Sequence, residues 1–443
     1  MKSILWFRRD LRVNDNAILA HAKGEVLPIF IFDTNILSGL DRDDKRVSFI
    51  YQSVLQLKID LQILGLDLAV YYGDPELIFA QLKQDGFKSV LCSCDFDAYA
   101  LQRDRQIETI LEMKRFYDSY LLHPSLHVKA DSTPYRVFTP YYKALHPLWM
   151  SDYIEQFVPA KNLQLAKANF TSVPTLSDMG FVMQKLPDFL YKSSSDHLED
   201  FVAKIEHYKE NRDFFALDGT SNMGIRLRFG LISPKQIFNR VKREVGSEFY
   251  IRELFWREFY AYILYHFPQT QYENFNDSEV AYENNERYFQ AWCDGETGFP
   301  LIDATMRHFN QTGLMHNRLR MITASFLCKN LLIDWRWGEQ YFAKKLLDYE
   351  ASSNIGSWQW AAGTGADAAP YFRIFNPCLQ SEKFDAQAKF IRSIIPQLAQ
   401  CTPKSLHVEG GLGENLFLDY PKPIISLAVS RQKALAAFSK KTV

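Results

Sequence analysis

An α/β domain built on a doubly wound parallel sheet, followed by a larger all-helical domain, is the fold class this 443-residue sequence predicts. Three observations predict it. Short apolar runs alternate with helical patterns over residues 1–125, which implies a parallel sheet with helices on both faces. Residues 126–200 are mixed and turn-prone, as in Ala130–Pro134 and Ser193–Asp196, and read as a connector over the surface. From residue 201 to 443 the apolar spacing is helical and strand signals are few.

The elements follow in order. Ser3–Phe7, Val26–Phe32, Leu66–Tyr72, Ser89–Cys94 and Tyr117–Leu122 read as buried strands. Arg46–Leu64 and Pro75–Gln84 read as helices between them. No GxGxxG follows the first strand, so a nicotinamide-dinucleotide site is not expected there. Downstream, Ser247–Tyr265, Glu286–Trp292, Pro300–Asn310 and Asn317–Leu332 carry the 3.6-residue period. Six of the eight tryptophans fall between Trp256 and Trp360, which draws attention to the helical half.

Composition excludes several classes. A formal charge of −1 gives no global signature of nucleic-acid binding, so any such partner needs a local basic patch. Six scattered cysteines contain no repeated CxxC, which argues against a disulfide framework or a zinc site. The spacing His123–His127 is interrupted by Pro124, and no metal is expected. The N-terminal apolar run Ile4–Phe7 is too short for a signal peptide. No apolar run is long enough to span a bilayer, and a cytoplasmic protein without a membrane partner is expected.

Four stretches carry unusual chemistry. In YIRELFWREFY, Glu253, Trp256, Arg257 and Tyr260 share one helical face. That face is either solvated or a base-stacking surface, where an aromatic plate holds a base and a carboxylate accepts its N–H groups. In MHNRLRMIT, Asn317 and Met321 share a face beside Arg318, and Arg320 needs an anion, for which Asp348 is a candidate. Trp358 and Trp360 are two apart, so they serve different environments. The turn Gly219–Gly224 offers hydroxyls and backbone N–H groups to a phosphate, or simply caps a helix.

Taken together, the motifs resemble the photolyase/cryptochrome family along essentially the whole chain. They are WFRRDLRVNDN at Trp6–Asn16, YRVFTPYYK at Tyr135–Lys143, GTSNMGIRLRFGLISP, ELFWREFY, TGFPLIDATMR, MHNRLRMITASFL, LLIDWRWGEQYF and WQWAAGTGADAAPYFRIFNP, in family order. The last block is more similar to class I pyrimidine-dimer photolyases than to cryptochromes of the DASH type. The resemblance implies an antenna domain at 1–125, a connector at 126–200 and an FAD-binding catalytic domain at 201–443. It implies light-dependent repair of cyclobutane pyrimidine dimers in DNA, by electron transfer from excited reduced FAD to a flipped-out dimer. No obligate protein partner is expected, and the chain is expected to be a monomer.

The resemblance also assigns residues. Those matching the flavin pocket are Tyr208, Thr220, Ser221, Asn222, Met223, Gly224, Tyr250, Glu253, Asn317, Arg320, Asp348, Tyr349, Glu350 and Asn354. Those matching the DNA and lesion contacts are Arg212, Glu253, Trp256, Tyr260, Asn317, Arg318, Met321, Trp360 and Gln380. Glu253, Asn317, Met321 and Asn354 are the expected catalytic set. Asn354 matches the position facing flavin N5, where plant-type cryptochromes carry Asp and insect-type ones Cys. A neutral amide accepts an N5–H without adding charge beside a flavin that must become anionic. Photolyases acting on (6-4) lesions use histidines where Asn317 and Met321 stand.

Departures from the pattern shape the remaining expectations. The tryptophan path matches Trp358 and Trp335, but its outer, surface member matches Tyr282. Asn222-Met223-Gly224 stands where Arg-Leu-Ser is usual, and Glu350 replaces an aspartate. Folate-binding members carry an acidic residue where this chain reads Tyr99-Ala100, so the antenna stays open among folate, deazaflavin, flavin and none. The rival reading is a cryptochrome-type blue-light photoreceptor without repair activity. It predicts a long C-terminal tail, whereas this chain closes on Lys440–Lys441 soon after DYPKPI.

Overall fold

The computed structural model describes residues 2–151, 154–167, 172–370, 372–413 and 419–439. Lys440–Lys441 lies outside them. Five strands form the main sheet: β1 (Lys2–Phe7), β2 (Glu25–Asp33), β3 (Ala69–Gly73), β4 (Ser89–Ser93) and β5 (Glu112–Phe116). All pair in parallel, in the order β3-β2-β1-β4-β5, and the short β6 (Gln164–Leu165) adds to β2. Ile4 aligns with Leu27 on one side and Val90 on the other. Burial on both faces explains why β1, β2 and β4 read as unbroken apolar runs.

One strand expectation is corrected. The fifth strand is Glu112–Phe116, and Tyr117–Leu122 pairs with nothing as a strand. At the sheet edge β5 is made only of half-buried and exposed residues, so it lacks a solid apolar run. The apolar character of Tyr117–Leu122 comes instead from packing, with Phe96, Tyr120, Ala261 and Leu264 in one cluster.

The main helices are α1 (Lys45–Ile63), α2 (Pro75–Gln84), α3 (Ala98–Glu108), α4 (Phe138–Ser151), α5 (Pro234–Val241), α6 (Ser247–His266), α7 (Glu286–Asp294), α8 (Pro300–Thr312), α9 (Asn317–Ser325), α10 (Trp335–Lys345), α11 (Ala351–Ala362), α12 (Pro377–Phe384) and α13 (Leu427–Ser439). The connector is more structured than expected. In α4, Phe138, Tyr141, Leu145 and Trp149 recur at helical spacing and are all buried. Asn317–Leu332 is not one regular helix: α9 ends at Ser325 and a π-helical turn covers Phe326–Asn330. There Lys329 turns inward to the carbonyls of Pro370 and Arg373, and Asn330 donates to Ser430.

Contacts divide the chain into two compact units. The first comprises Met1–Pro134, Tyr142–Ile205 and Ser221–His266; the second comprises Tyr135–Tyr141, Glu206–Thr220 and Phe267–Val443. In the first, α6 joins the sheet rather than the later helices. Glu258 accepts the Leu121 N–H, and Arg257 donates to the Ser119 carbonyl. The loop after β1 is also pinned there: Leu11 N–H donates to Phe229 O, and Gly230 sits at φ +65°, where a Cβ would collide with the Arg9 carbonyl.

Candidate active site

In the second unit, α9, α10 and α11 carry most of the expected residues. Arg320 and Asp348 form the pair the sequence pointed to. Arg320 Nη2 meets both carboxylate oxygens at 2.8 and 2.9 Å, while its Nε donates to Met315 O. Asn317 and Met321 share a face, with Nδ2 3.9 Å from Sδ. Arg318 pairs with Asp213 at 2.7 Å and lies over the Phe384 ring. His316 caps α9 through Nδ1, and burial holds its pKa down at about 4, so it is neutral.

Asn354 on α11 is only 8% exposed. Its Nδ2 donates to Glu339 Oε1 at 3.0 Å and to the Glu339 carbonyl at 3.2 Å. Its Oδ1 accepts from none of the described residues. Tyr349 also reaches the Glu339 carboxylate, and burial pushes the Glu339 pKa up. Glu350, just before α11, accepts from Ser353. Trp358 is buried while Trp360, on the same helix, is half-exposed, as their spacing requires. On α12, Gln380 Oε1 is buried without a partner among the described residues. Arg212 lies over the Tyr208 ring, and Thr220 is half-buried nearby in sequence.

In the first unit, α6 presents Glu253, Trp256, Arg257 and Tyr260 half-exposed on one face, with Leu254, Phe255, Glu258 and Phe259 buried on the other. The Trp256 and Tyr260 rings lie 5.6 Å apart. Tyr250 is buried, bonds Ser221, and is pushed up to about 12 by desolvation. The turn 221–224 is shaped by Asn222 at φ +50° and by Met223 N–H bonding Ser221 Oγ. The Met223 side chain is a buried apolar residue, so it offers a site only its backbone.

Tyr282 departs from its expected surface position. Its hydroxyl is buried without a hydrogen-bond partner among the described residues, and burial drives its pKa well above 10. The cover comes from α13: Phe438 meets the Tyr282 ring edge-on, and Lys433 pairs with Glu283. Trp335 is buried and donates to Asn274. The indole in ring contact with Trp358 is Trp292, at 6.1 Å. At the sheet, Tyr99 opens α3 and donates to Asp33.

The donor set of the second unit suits a planar heteroaromatic edge that carries N–H, N and C=O groups. It offers a guanidinium, a carboxylate and an amide whose oxygen has no partner among the described residues. The family models agree: "DNA photolyase" matches residues 3–159 and "FAD binding domain of DNA photolyase" residues 250–440. A deoxyribodipyrimidine photo-lyase of Salmonella typhimurium is 36% identical, with 98% of either chain covered. The chain belongs to the DNA photolyase family. Membership makes it a DNA-repair enzyme of the photo-lyase class with FAD as its cofactor. A bacterial class III photolyase from Agrobacterium tumefaciens has a TM-score of 0.85 at 35% identity, covering 99% of this chain and 97% of that one. A Synechocystis cryptochrome also reaches 0.85, at 28% identity over 99% of both chains.

Glu339 is the residue that sequence reasoning passed over. It lies inside LLIDWRWGEQYF, one turn after Trp335 on α10. A carboxylate spaced four residues after Trp335 and three before Phe342, on the face those two bury, was the available signal.

Proposed function

We propose that the chain repairs cyclobutane pyrimidine dimers in DNA under blue light. The observation that carries this reading is Asn354: a neutral, buried amide whose oxygen is left without a partner among the described residues, at the position the family places against flavin N5. Repair enzymes carry a neutral amide there, whereas plant-type photoreceptors carry a carboxylate, which opposes full reduction by like-charge repulsion. Reduced FAD, when bound, supplies the electron that opens the cyclobutane ring.

The chain's own residues bind and orient. Arg320 and Asp348 hold the flavin ring edge, with Tyr349 and Glu350 beside them; Tyr208, Tyr250 and the segment Thr220–Gly224 complete the cofactor contacts. Trp256 and Trp360 are half-exposed plates for the two linked bases. Glu253 and Asn317 hydrogen-bond their polar edges, Met321 fills the space beside them, and Tyr260 and Gln380 flank the lesion. Arg212 and Arg318 hold phosphates, so binding weakens as salt rises. A dimer is already poorly stacked and therefore cheap to extrude, which favours damaged over intact DNA. Cytoplasmic location and a monomeric state belong to the same reading.

The test is a dimer-containing oligonucleotide incubated with holoenzyme in blue light and in darkness. Dimer loss only in light is expected. Loss in both, or in neither, overturns the reading and, in the second case, favours the photoreceptor alternative.

A further inference from the structure

We infer that Glu339 is a positioning residue: it fixes the amide of Asn354 with the nitrogen turned away and the carbonyl oxygen presented to the flavin. The inference rests on the proposal that Asn354 faces the flavin, and it adds the residue that decides which atom does so.

A side-chain amide has two nearly isosteric ends, one donor and one acceptor, and only its neighbours decide which end faces where. Here they leave no choice. The Glu339 carbonyl, 3.2 Å from the amide of Asn354, can only accept. The Glu339 carboxylate, 3.0 Å away, accepts as well. Both acceptors belong to one residue on α10 and close on the same Nδ2 of α11. The nitrogen is therefore held by two bonds, one of them charge-assisted. Oδ1 is left as an acceptor with no partner among the described residues. Tyr349 approaches the same carboxylate at 3.5 Å and supports its placement.

The consequence is chemical. An oxygen facing the flavin accepts a proton-bearing N5 and favours its protonated forms; a nitrogen facing it would favour an unprotonated N5. The orientation thus sets which reduced forms of the cofactor the protein stabilises. The charge of Glu339 acts in the opposite sense: a nearby carboxylate opposes adding electrons to the flavin. Removing the charge therefore raises the reduction potential, and releasing the amide lowers it, so the two roles separate by sign.

The experiment measures the first reduction potential of bound FAD, and the N5 protonation of its one-electron-reduced form by absorption. Glu339→Gln removes the charge and keeps an acceptor. Glu339→Leu removes both the charge and the side-chain acceptor, leaving the amide only the backbone carbonyl of residue 339. The Leu variant is expected to fall below the Gln variant by about tenfold in the equilibrium, or about 59 mV for one electron. If Glu339 acts through Asn354, that difference vanishes when both are rebuilt on Asn354→Ala. Equal potentials for Gln and Leu, or a difference that persists in the Asn354→Ala background, overturn the inference. Should the Leu variant not retain FAD, Glu339→Met, which is also uncharged and has no oxygen acceptor in its side chain, takes its place in the same cycle. Failure of the underlying reading is distinguishable: Asn354→Ala alone would then leave the potential unchanged.

Discussion

Two arginine–aspartate pairs illustrate how the same chemistry serves different ends in the two units. In the first unit, Arg12 and Asp118 are 5% and 1% exposed and 2.5 Å apart. Three more of its N–H groups donate to the carbonyls of Asn14, Gly230 and Asp15. In the second, Arg320 and Asp348 are 28% and 17% exposed, and Arg320 Nη1 bonds to none of the described residues. The first pair is closed and ties three loops together. The second is open and has bonding capacity left for a ligand. A buried pair held by several hydrogen bonds is costly to break from one side; a partly solvated pair contributes little to folding and keeps its capacity for binding.

The largest effect is therefore expected at Arg12. Arg12→Met strands the Asp118 carboxylate in the interior and should cost about 3–5 kcal/mol in urea unfolding. Arg320→Met should cost less than about 1 kcal/mol of stability without flavin. Were Arg320→Met to destabilise the apoprotein as much as Arg12→Met, the contrast between closed and open pairs would fail.

Asp10 sharpens the closed side. It is fully buried, accepts from the Arg8 N–H at 2.7 Å, and leaves Oδ2 without a partner among the described residues. Desolvation, then the charge of Asp118, pushes its pKa up to about 6, against the pull of Arg12 and Arg8. The folded chain thus holds a proton that the unfolded chain releases near pH 4. Its contribution is greatest in acid and is lost as pH rises through about 6. Asp10→Asn should gain about 1–3 kcal/mol at pH 8, shrinking toward zero at pH 4, in thermal melts across that range. A gain independent of pH would show that the carboxyl is already ionised in the fold.

The open side is probed by FAD affinity. Arg320→Met should weaken flavin binding about 10–100-fold, or about 1.4–2.7 kcal/mol, in a titration of the apoprotein. Unchanged affinity would remove Arg320 from the flavin contacts.

How legible these features were in the sequence follows from the range of the interactions. The sheet was readable because β1, β2 and β4 are buried on both faces and therefore apolar throughout. The edge strand β5 was not, because its half-exposed pattern lost to the buried Tyr117–Leu122 beside it. The α6 face with Glu253, Trp256 and Tyr260 was readable from spacing alone. Arg320 announced its need for an anion, and Asp348 supplies it. The Glu339–Asn354 contact was hidden because it depends on how α10 and α11 lie against each other, which no local period encodes. The π-turn at Phe326–Asn330 was hidden for the same reason.

The smallest effect is expected at Tyr282, and it contrasts two aromatic regions of the second unit. Oxidising a phenol near neutral pH requires a route for its proton. The Tyr282 hydroxyl is buried, has no acceptor among the described residues, and resists ionisation. Trp358 instead touches Trp292, which stacks on Phe289, whose ring meets the half-exposed Trp337 at 5.1 Å. An indole can be oxidised without first losing its proton, so this second file of rings meets the requirement that Tyr282 does not. Tyr282→Phe should leave light-driven reduction of the bound flavin, followed with an external thiol donor, indistinguishable from the parent. Trp292→Phe should slow it under the same illumination. A slower Tyr282→Phe beside an unaffected Trp292→Phe would put the phenol back in the path and require a proton acceptor that reaches it only during the reaction.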